Sequence, residues 1–459
     1  MIERAASADA PGLRRSDIVD ASARGIASHV AGLIRTGEMT PGHRLPPIRQ
    51  LAQRLNVSPA TVSAAWRLLK RRGLIAGRGK SGIRVIGQGE AFAPAAAAPA
   101  IAGLQTGNLR AVFPDPAFLP DLFEALHAVR RLEQLEEYYH EPALPALADA
   151  VRQVHPDIGQ RLIAASGSSD ALWSVLQAIS VPRDRVLVET PTSPQYLEIF
   201  AELGLEVIPI PYRHGGPDVQ AVDQALRLRP VALFFQTRSQ IPTGWSLGEE
   251  NADALALALA AHPECTVIEC DEVNDLSPAP LHTLATRLPQ QTVHIGSYEK
   301  AWGPDLRLAV IGTGDAHADQ IEPVVRSTRQ WTSRILQQTL AELMTTANGR
   351  GVVDDARDIY RKRHEALVQA LAERGVLAAG GTGLCVWLRV VDEDAALRRL
   401  AAAGIAALGG HGSVVGETDS AHIRVASLRV PVEAAPALAD VLAEATRADP
   451  HGVRRQRPG

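Results

Sequence analysis

His294-Ile-Gly-Ser-Tyr-Glu-Lys-Ala-Trp-Gly-Pro-Asp-Leu-Arg307 sets one lysine between two apolar runs, Val293 with Ile295 on one side and Leu308 to Gly312 on the other. The first run reads as a short buried strand, the residues around Lys300 as a polar turn at its end, and the second run as another strand. A lysine at a strand end inside a dense fold is poorly placed to be a solvated charge. Desolvation lowers the pKa of its amine, and a neutral amine there is a nucleophile able to form a Schiff base with an aldehyde.

Away from Lys300, apolar strand-like runs alternate with Ala/Leu-rich helical ones. Arg185–Glu189, Glu206–Ile210, Val231–Phe235, Thr266–Glu269 and Gln291–Ile295 read as strands, with helical runs at Ser169–Ser180, Gln195–Leu203, Val219–Leu226 and Asn251–Ala261. Short buried strands separated by helices predict an α/β domain with a mostly parallel sheet. Such sheets bind ligands beyond the carboxyl ends of their strands, and four features fall at such ends. Ala165-Ser-Gly-Ser-Ser-Asp170 leads into a helix, where free backbone N–H groups and small hydroxyls either cradle a phosphate or merely cap the helix. Ser239-Gln-Ile-Pro-Thr-Gly244 reads as a tight turn. Asp271 follows the buried run Thr266–Cys270, where a carboxylate needs a partner to stay ionised. Ser297, Lys300 and Arg307 come next, with Arg307 placed to bind an anion.

At 459 residues the chain is too long for one small domain and predicts two or three units. Its three cysteines, Cys265, Cys270 and Cys385, have neither disulfide nor metal-ligand spacing, which points to a reducing cytoplasm and no metal site. The first residues carry no apolar signal region, and no run approaches membrane-spanning length. The net charge of -4 conceals an uneven distribution. From Thr40 to Gly89 there is no acidic residue, while Arg44, Arg49, Arg54, Arg67, Lys70, Arg71, Arg72, Arg78, Lys80 and Arg84 all fall there. An unopposed positive segment of this kind predicts nucleic-acid binding when a suitable fold carries it.

The fold is legible around those charges. Ile26, Val30, Leu33 and Ile34 recur at helical spacing up to Gly37. A second helix opens at Pro47 with the stripe Ile48, Leu51, Ala52 and Leu55. After the short turn Asn56-Val57, Ser58 caps and Pro59 starts a third helix. Its inward residues are Val62, Trp66 and Leu69, with Ala60, Thr61, Ser63, Ala64, Arg67 and Arg71 outward. Leu74-Ile75 and Ile83–Ile86 then flank a glycine-rich basic tip, Gly77 to Gly82, as a hairpin wing would. Helix, short turn and helix with a small, polar outer face is the helix-turn-helix pattern, whose second helix enters the DNA major groove.

The stretch LPPIRQLAQRLNVSPATVSAAWRLLKRRGLIAGRGKSGIRVI resembles the winged-helix domain of GntR-type bacterial regulators over nearly all of residues 22–86. That resemblance implies contacts with double-stranded DNA from Arg49, Ser58, Thr61, Ser63 and Arg67, and from Arg78 and Lys80 in the wing. In their joint order, the four strand-end features resemble the fold-type I aminotransferases that bind pyridoxal 5'-phosphate. With the winged helix in front, the whole chain resembles the MocR subfamily of GntR regulators. The resemblance implies that Lys300 forms the internal aldimine and that Asp271 pairs with the protonated pyridine nitrogen. It places the phosphate on the Gly167 amide, Ser168, Ser169, Ser297 and Arg307. Tyr139, in Tyr139-His-Glu-Pro142, matches a tyrosine that reaches the phosphate from the partner subunit, which implies a homodimer, with domain swapping of the winged helices permitted. Arg424, in His422-Ile-Arg-Val-Ala426, matches the arginine that grips the carboxylate of an amino-acid ligand, a task suited to its fork of donors.

The chain also departs from the aminotransferase pattern. Asn274 stands where a tyrosine is usual three residues after the aspartate, and Ser193 where an aromatic stacks on the ring. Ile241 replaces the asparagine before Pro-Thr-Gly, with Gln240 beside it as a stand-in. The implied organisation is an N-terminal tail (1–21), the winged helix (22–86), an Ala/Pro/Gly linker (87–105), an aminotransferase-like domain (106–450) and a basic C-terminal tail (451–459). Three functional readings stand at this point. The first is a DNA-binding regulator that senses pyridoxal phosphate and an amino acid or amine. The second is a working aminotransferase with an accessory DNA-binding domain, and the third a regulator whose large domain only dimerises.

Overall fold

A computed structural model of the chain describes residues 12–18, 20–40, 42–71, 74–76, 83–85, 101–104, 106–133, 135, 137–139, 141–416 and 420–449. Arg78, Lys80, most of the 87–105 stretch and the 451–459 tail lie outside them.

The N-terminal unit is built from α1 (Ala23–Arg35), α2 (Ile48–Leu55) and α3 (Pro59–Arg71) with a two-stranded wing, β1 (Ile75–Ala76) and β2 (Arg84–Val85). Ser22 caps α1, its hydroxyl oxygen accepting the Gly25 N–H at 3.1 Å. Asn56 closes α2 in the left-handed region (φ 54, ψ 49), a conformation an asparagine adopts more readily than a branched residue. Ser58 then accepts the Thr61 N–H at 3.1 Å, the cap that its position predicts. Ile26, Val30, Leu33, Leu51, Leu55, Val62, Trp66 and Leu69 form one apolar core, and the wing pairs antiparallel with Ile75 opposite Val85. Two details differ from the pattern reading. The second helix begins at Ile48, with Pro47 just ahead of it. Ala64, expected outward, is buried; Leu68, one turn further on and therefore on the same side, is buried too, so the covered stripe of α3 is wider than three residues.

In the large unit the chain order is α4 (Leu122–Leu126), α5 (Pro145–Val154), β3 (Arg161–Ala165), α6 (Ser168–Ile179), β4 (Arg185–Thr190), α7 (Pro194–Glu202), β5 (Glu206–Arg213) and β6 (Gly216–Pro217). There follow α8 (Val219–Leu226), β7 (Ala232–Gln236), α9 (Glu249–Ala260), β8 (Thr266–Asp271), β9 (Thr292–Ser297), α10 (Glu299–Trp302) and β10 (Ala309–Thr313). The rest comprises α11 (Asp315–Arg329), α12 (Arg334–Thr345), α13 (Ala347–Ala372), β11 (Ala378–Ala379), β12 (Cys385–Val390), α14 (Glu393–Ala402), β13 (Leu408–Gly409), β14 (Ala421–Ala426) and α15 (Ala435–Thr446). Eight strands form one sheet in the order β3-β10-β9-β8-β7-β4-β5-β6. Its middle strands β4, β7, β8 and β9 run parallel, while β10 is antiparallel to both β9 and β3. A second, antiparallel sheet has the order β11-β12-β14-β13.

Each of the five strands read from the sequence is present, because runs such as Ala232–Gln236 are buried at every position, as a strand covered on both faces must be. The segment around Lys300 differs: it is the one-turn helix α10 rather than a turn. The Trp302 N–H donates to Tyr298 O at 3.0 Å and the Gly303 N–H to Glu299 O at 3.2 Å, and Gly303 at φ 139 stops the helix after that single turn. Ile101 and Leu104, at the end of the proline-rich stretch, belong to the core under the smaller sheet, since two apolar residues three apart can be buried without a longer periodic run. Where the turn after β7 meets the segment between β11 and β12, backbone lies on backbone. A Cβ on Gly380 (φ 117) would fall 1.6 Å from the Thr243 carbonyl oxygen, and one on Gly383 2.9 Å from Gly244 Cα. Among the described residues no helix is long and apolar enough to cross a membrane.

Leu51 is fully buried in the N-terminal core, and truncating such a side chain to alanine typically costs about 2–5 kcal/mol. Leu51→Ala is therefore expected to lower the urea midpoint of the N-terminal unit's unfolding, followed by circular dichroism; an unchanged midpoint contradicts this packing.

Candidate cofactor site and nucleic-acid interface

Lys300 sits where the carboxyl ends of the parallel strands converge. Its Nζ donates to Glu272 Oε1 at 2.5 Å, and Glu299 Oε1 is 3.7 Å away. Glu272, at the end of β8, also accepts a hydrogen bond from the Tyr196 hydroxyl at 2.8 Å, and the Ser168 hydroxyl bonds to it as well. Burial alone would push the Lys300 amine down, but Glu272, with Glu299 beside it, more than offsets this and holds the amine above its ordinary value. Burial likewise pushes Glu272 up, and Lys300 with the two hydroxyls brings it below the usual carboxylate range. Both shifts describe one buried ion pair. At neutral pH this lysine is an ammonium, not the free amine that desolvation by itself would give.

Around the pair lie the residues that the resemblance assigns to a phosphate. Gly167 begins α6 in the left-handed region at φ 95, and a Cβ there would sit 3.2 Å from Arg307 Nη2, so only glycine leaves that space open. Arg307, itself left-handed at φ 49, donates from Nη1 to Glu299 Oε2 at 2.6 Å. The Ser297 hydroxyl is buried and has no hydrogen-bond partner, an uncommon state for a buried oxygen that normally means a missing partner. Ser169 adjoins Ser168 in the first turn of α6. The structure thus brings Gly167, Ser168, Arg307 and Lys300 into one connected network, with Ser297 at the end of the strand leading into α10. An open glycine cradle, an orphaned hydroxyl and an arginine suit the phosphate of pyridoxal phosphate, and the lysine suits its aldehyde.

The remaining residues singled out by the sequence are arranged differently. Asp271 Oδ2 accepts from Arg238 Nε at 2.9 Å and also from Arg238 Nη2, while Oδ1 accepts the Asn274 N–H at 3.1 Å. Gln240 is fixed within its own turn: Nε2 donates to Pro191 O at 2.5 Å and to Glu189 Oε1 at 3.2 Å, and Oε1 accepts the Thr243 N–H at 3.0 Å. Its amide is committed to Glu189, Pro191 and Thr243 rather than standing in for an asparagine at position 241. Tyr139 lies under the Arg334 guanidinium, 4.9 Å from ring centroid to Cζ, and its hydroxyl donates to Ala143 O at 3.5 Å; neither contact involves the residues around Lys300. Arg424, on β14, is buried and donates from Nη2 to Arg110 O at 2.7 Å, while its Nε has no partner. Cys385, on the neighbouring β12, reaches the Pro242 carbonyl at 3.4 Å, which ties the Arg424 sheet to the 239–244 turn. Sequence reading missed Arg238 and Glu272. The only signal for Glu272 was a second acid directly after Asp271 at the end of a buried run.

In the N-terminal unit, the Ser58 and Thr61 hydroxyls lie 2.9 Å apart at the start of α3. Ser63 accepts from Arg67 Nη1 at 3.1 Å one turn later, with Arg67 half-buried and Arg49 on α2 exposed. Arg49 thus lies on α2, Thr61, Ser63 and Arg67 lie on α3, and Ser58 caps α3. Among the described residues no group of three or more His, Cys, Asp or Glu side chains is positioned to hold a metal.

A winged helix-turn-helix ahead of an aminotransferase-like domain defines a transcriptional regulator of composite build. Residues 22–85 match the model of the bacterial regulatory proteins of the gntR family, and residues 104–442 that of aminotransferase class I and II. A vitamin B6 salvage pathway transcriptional repressor of Salmonella typhimurium is 30% identical over 365 residues, covering 78% of this chain and 82% of that one. A pyridoxine biosynthesis transcriptional regulator of Corynebacterium glutamicum is 25% identical, over 76% of this chain and 78% of its own. Among solved structures, a kynurenine aminotransferase of Pyrococcus horikoshii superposes with TM-score 0.67 at 20% identity, covering 74% of this chain and 90% of that one. The chain belongs to the MocR subfamily of GntR-type regulators, with a fold-type I aminotransferase domain behind the DNA-binding one.

The Lys300 pair makes a pH prediction. An amine raised by its carboxylate reacts with aldehydes only as pH climbs toward its elevated pKa. Glu272→Gln removes the carboxylate that most strongly opposes burial, so the pKa of the Lys300 amine falls. Reductive labelling of Lys300 with an aldehyde and borohydride, read by peptide mass across pH, should show its midpoint moving down; an unmoved midpoint shows that Glu272 does not set the lysine's charge.

Proposed function

We propose that this regulator binds pyridoxal 5'-phosphate at Lys300 and an amino acid or amine beside it, and that the bound state controls its grip on operator DNA. The observation that carries this reading is the network joining a buried lysine to an anion cradle. Gly167, Ser168, Ser169, Ser297 and Arg307 would hold the phosphate, and Lys300 would take the aldehyde. When bound, the cofactor supplies a carbonyl that condenses with amines, which is how such a pocket distinguishes amino compounds from other metabolites. Arg424, a buried cation with an unanswered Nε, supports carboxylate recognition, since a fork of N–H donors matches that group. The two relatives named for vitamin B6 salvage and pyridoxine biosynthesis support the same class of signal.

At the other end of the chain, Arg49, Ser58, Thr61, Ser63 and Arg67 would meet the DNA. A ligand controls that contact only through a difference in affinity between two conformations. A homodimer is the assembly we assign. Phe123 and Tyr138, 80% and 75% exposed, bracket the segment next to Tyr139 and give a partner subunit apolar area to cover. Three buried, free cysteines support a reducing, cytoplasmic setting.

Two measurements test the proposal. Added pyridoxal phosphate should give the purified protein a visible absorption band that Lys300→Ala lacks; a colourless wild type removes the cofactor reading. Footprinting on DNA upstream of the protein's own gene, with and without pyridoxal phosphate, should show protection that depends on the cofactor. There, Arg49→Ala should weaken binding and reduce the salt dependence by about one phosphate contact, and unchanged binding would refute the assigned DNA surface.

A further inference from the structure

We infer that Arg238 is a positioning residue that takes the Asp271 carboxylate for itself, so that a pyridoxal ring bound at Lys300 keeps its pyridine nitrogen unprotonated. The inference rests on the cofactor reading above and deepens it. Asp271 ends β8 and Arg238 lies two residues past the end of β7, the parallel neighbour, so the fold itself delivers both to one place. Neither has solvent to turn to: they are 1% and 7% exposed. Arg238 approaches through two nitrogens, Nε at 2.9 Å and the nearer Nη2, both on Oδ2. Nη2 also reaches Asn274 Oδ1 and Nη1 the Ala279 carbonyl, each at 3.4 Å. The other carboxylate oxygen is engaged by the Asn274 N–H. The guanidinium is therefore fixed from three directions, and Asp271 has a donor on each oxygen before any ligand arrives.

The chemical consequence follows from charge. A buried pyridine nitrogen holds its proton through a facing carboxylate, and holds it less strongly the more that carboxylate's charge is already answered by another cation. Asp271 is answered by a cation that does not release its proton at any physiological pH. A ring held there is neutral at nitrogen and withdraws electrons weakly from a bound amine. The amine can attach and leave, but its α-hydrogen is not made acidic. That behaviour suits detection and disfavours turnover.

Nuclear magnetic resonance of the full-length protein loaded with pyridoxal phosphate labelled with nitrogen-15 in the ring tests this, because protonation moves the pyridine signal far upfield. The expected result is an unprotonated signal in the wild type and in Arg238→Lys, and an upfield shift in Arg238→Met, where Asp271 is released. If no cofactor binds, as read by the visible band, the cofactor reading and this inference both fall. If it binds and the wild-type nitrogen is protonated, the inference falls and the cofactor reading stands. An unprotonated signal that persists in Arg238→Met also overturns the role of Arg238. Should Arg238→Met not fold, Asp271→Asn substitutes: an unchanged pyridine signal supports the inference, and a changed one overturns it.

Discussion

Two acids side by side at the end of a buried strand set the terms for the large unit. Asp271 and Glu272 are both almost fully covered, and a covered carboxylate is tolerated only with a cation or donors on it. Successive residues here point apart, so each acid recruits its own set. Asp271 draws Arg238 from the loop after β7 and the Asn274 amide. Glu272 draws Lys300 from α10, the Tyr196 hydroxyl from α7 and Ser168 from α6. Four separate segments are thereby pinned to the tip of one strand, close around the lysine.

The two pairs have different chemical freedom. Arg238 cannot give up its charge, so its pair with Asp271 is permanent as long as the fold is. Lys300 can, and its pair with Glu272 must open before the amine attacks an aldehyde. On the proposed reading, cofactor binding would therefore cost the Lys300–Glu272 ion pair and leave the Arg238–Asp271 pair intact. Tyr196 and Ser168 remain to hold Glu272 when the lysine leaves, which keeps that carboxylate from being stranded.

Much of this was legible in the chain. The helix-turn-helix follows from local signals: the stripe at 48, 51, 52 and 55, the turn at Asn56 and the Ser58 cap, each within a few residues of its partner. The parallel strands announced themselves as short buried runs. Lys300 stood out because an amine at such a strand end has a chemical use. What could not be read were the pairings. Arg238 and Asp271 are 33 residues apart, Lys300 and Glu272 are 28 apart, and no periodicity encodes which cation meets which acid. The residues around Lys300 read as a turn in the sequence, but the four from Glu299 to Trp302 are enough to close one helical turn.

The glycines where the turn after β7 meets the segment between β11 and β12 bear on how this scaffold can be altered. Gly380 and Gly383 bring backbone against backbone with no room for even a methyl group. Anyone recasting the protein as a biosensor for a different amine inherits that seam unchanged. The seam is thus the fixed template on which new specificities have to be drawn.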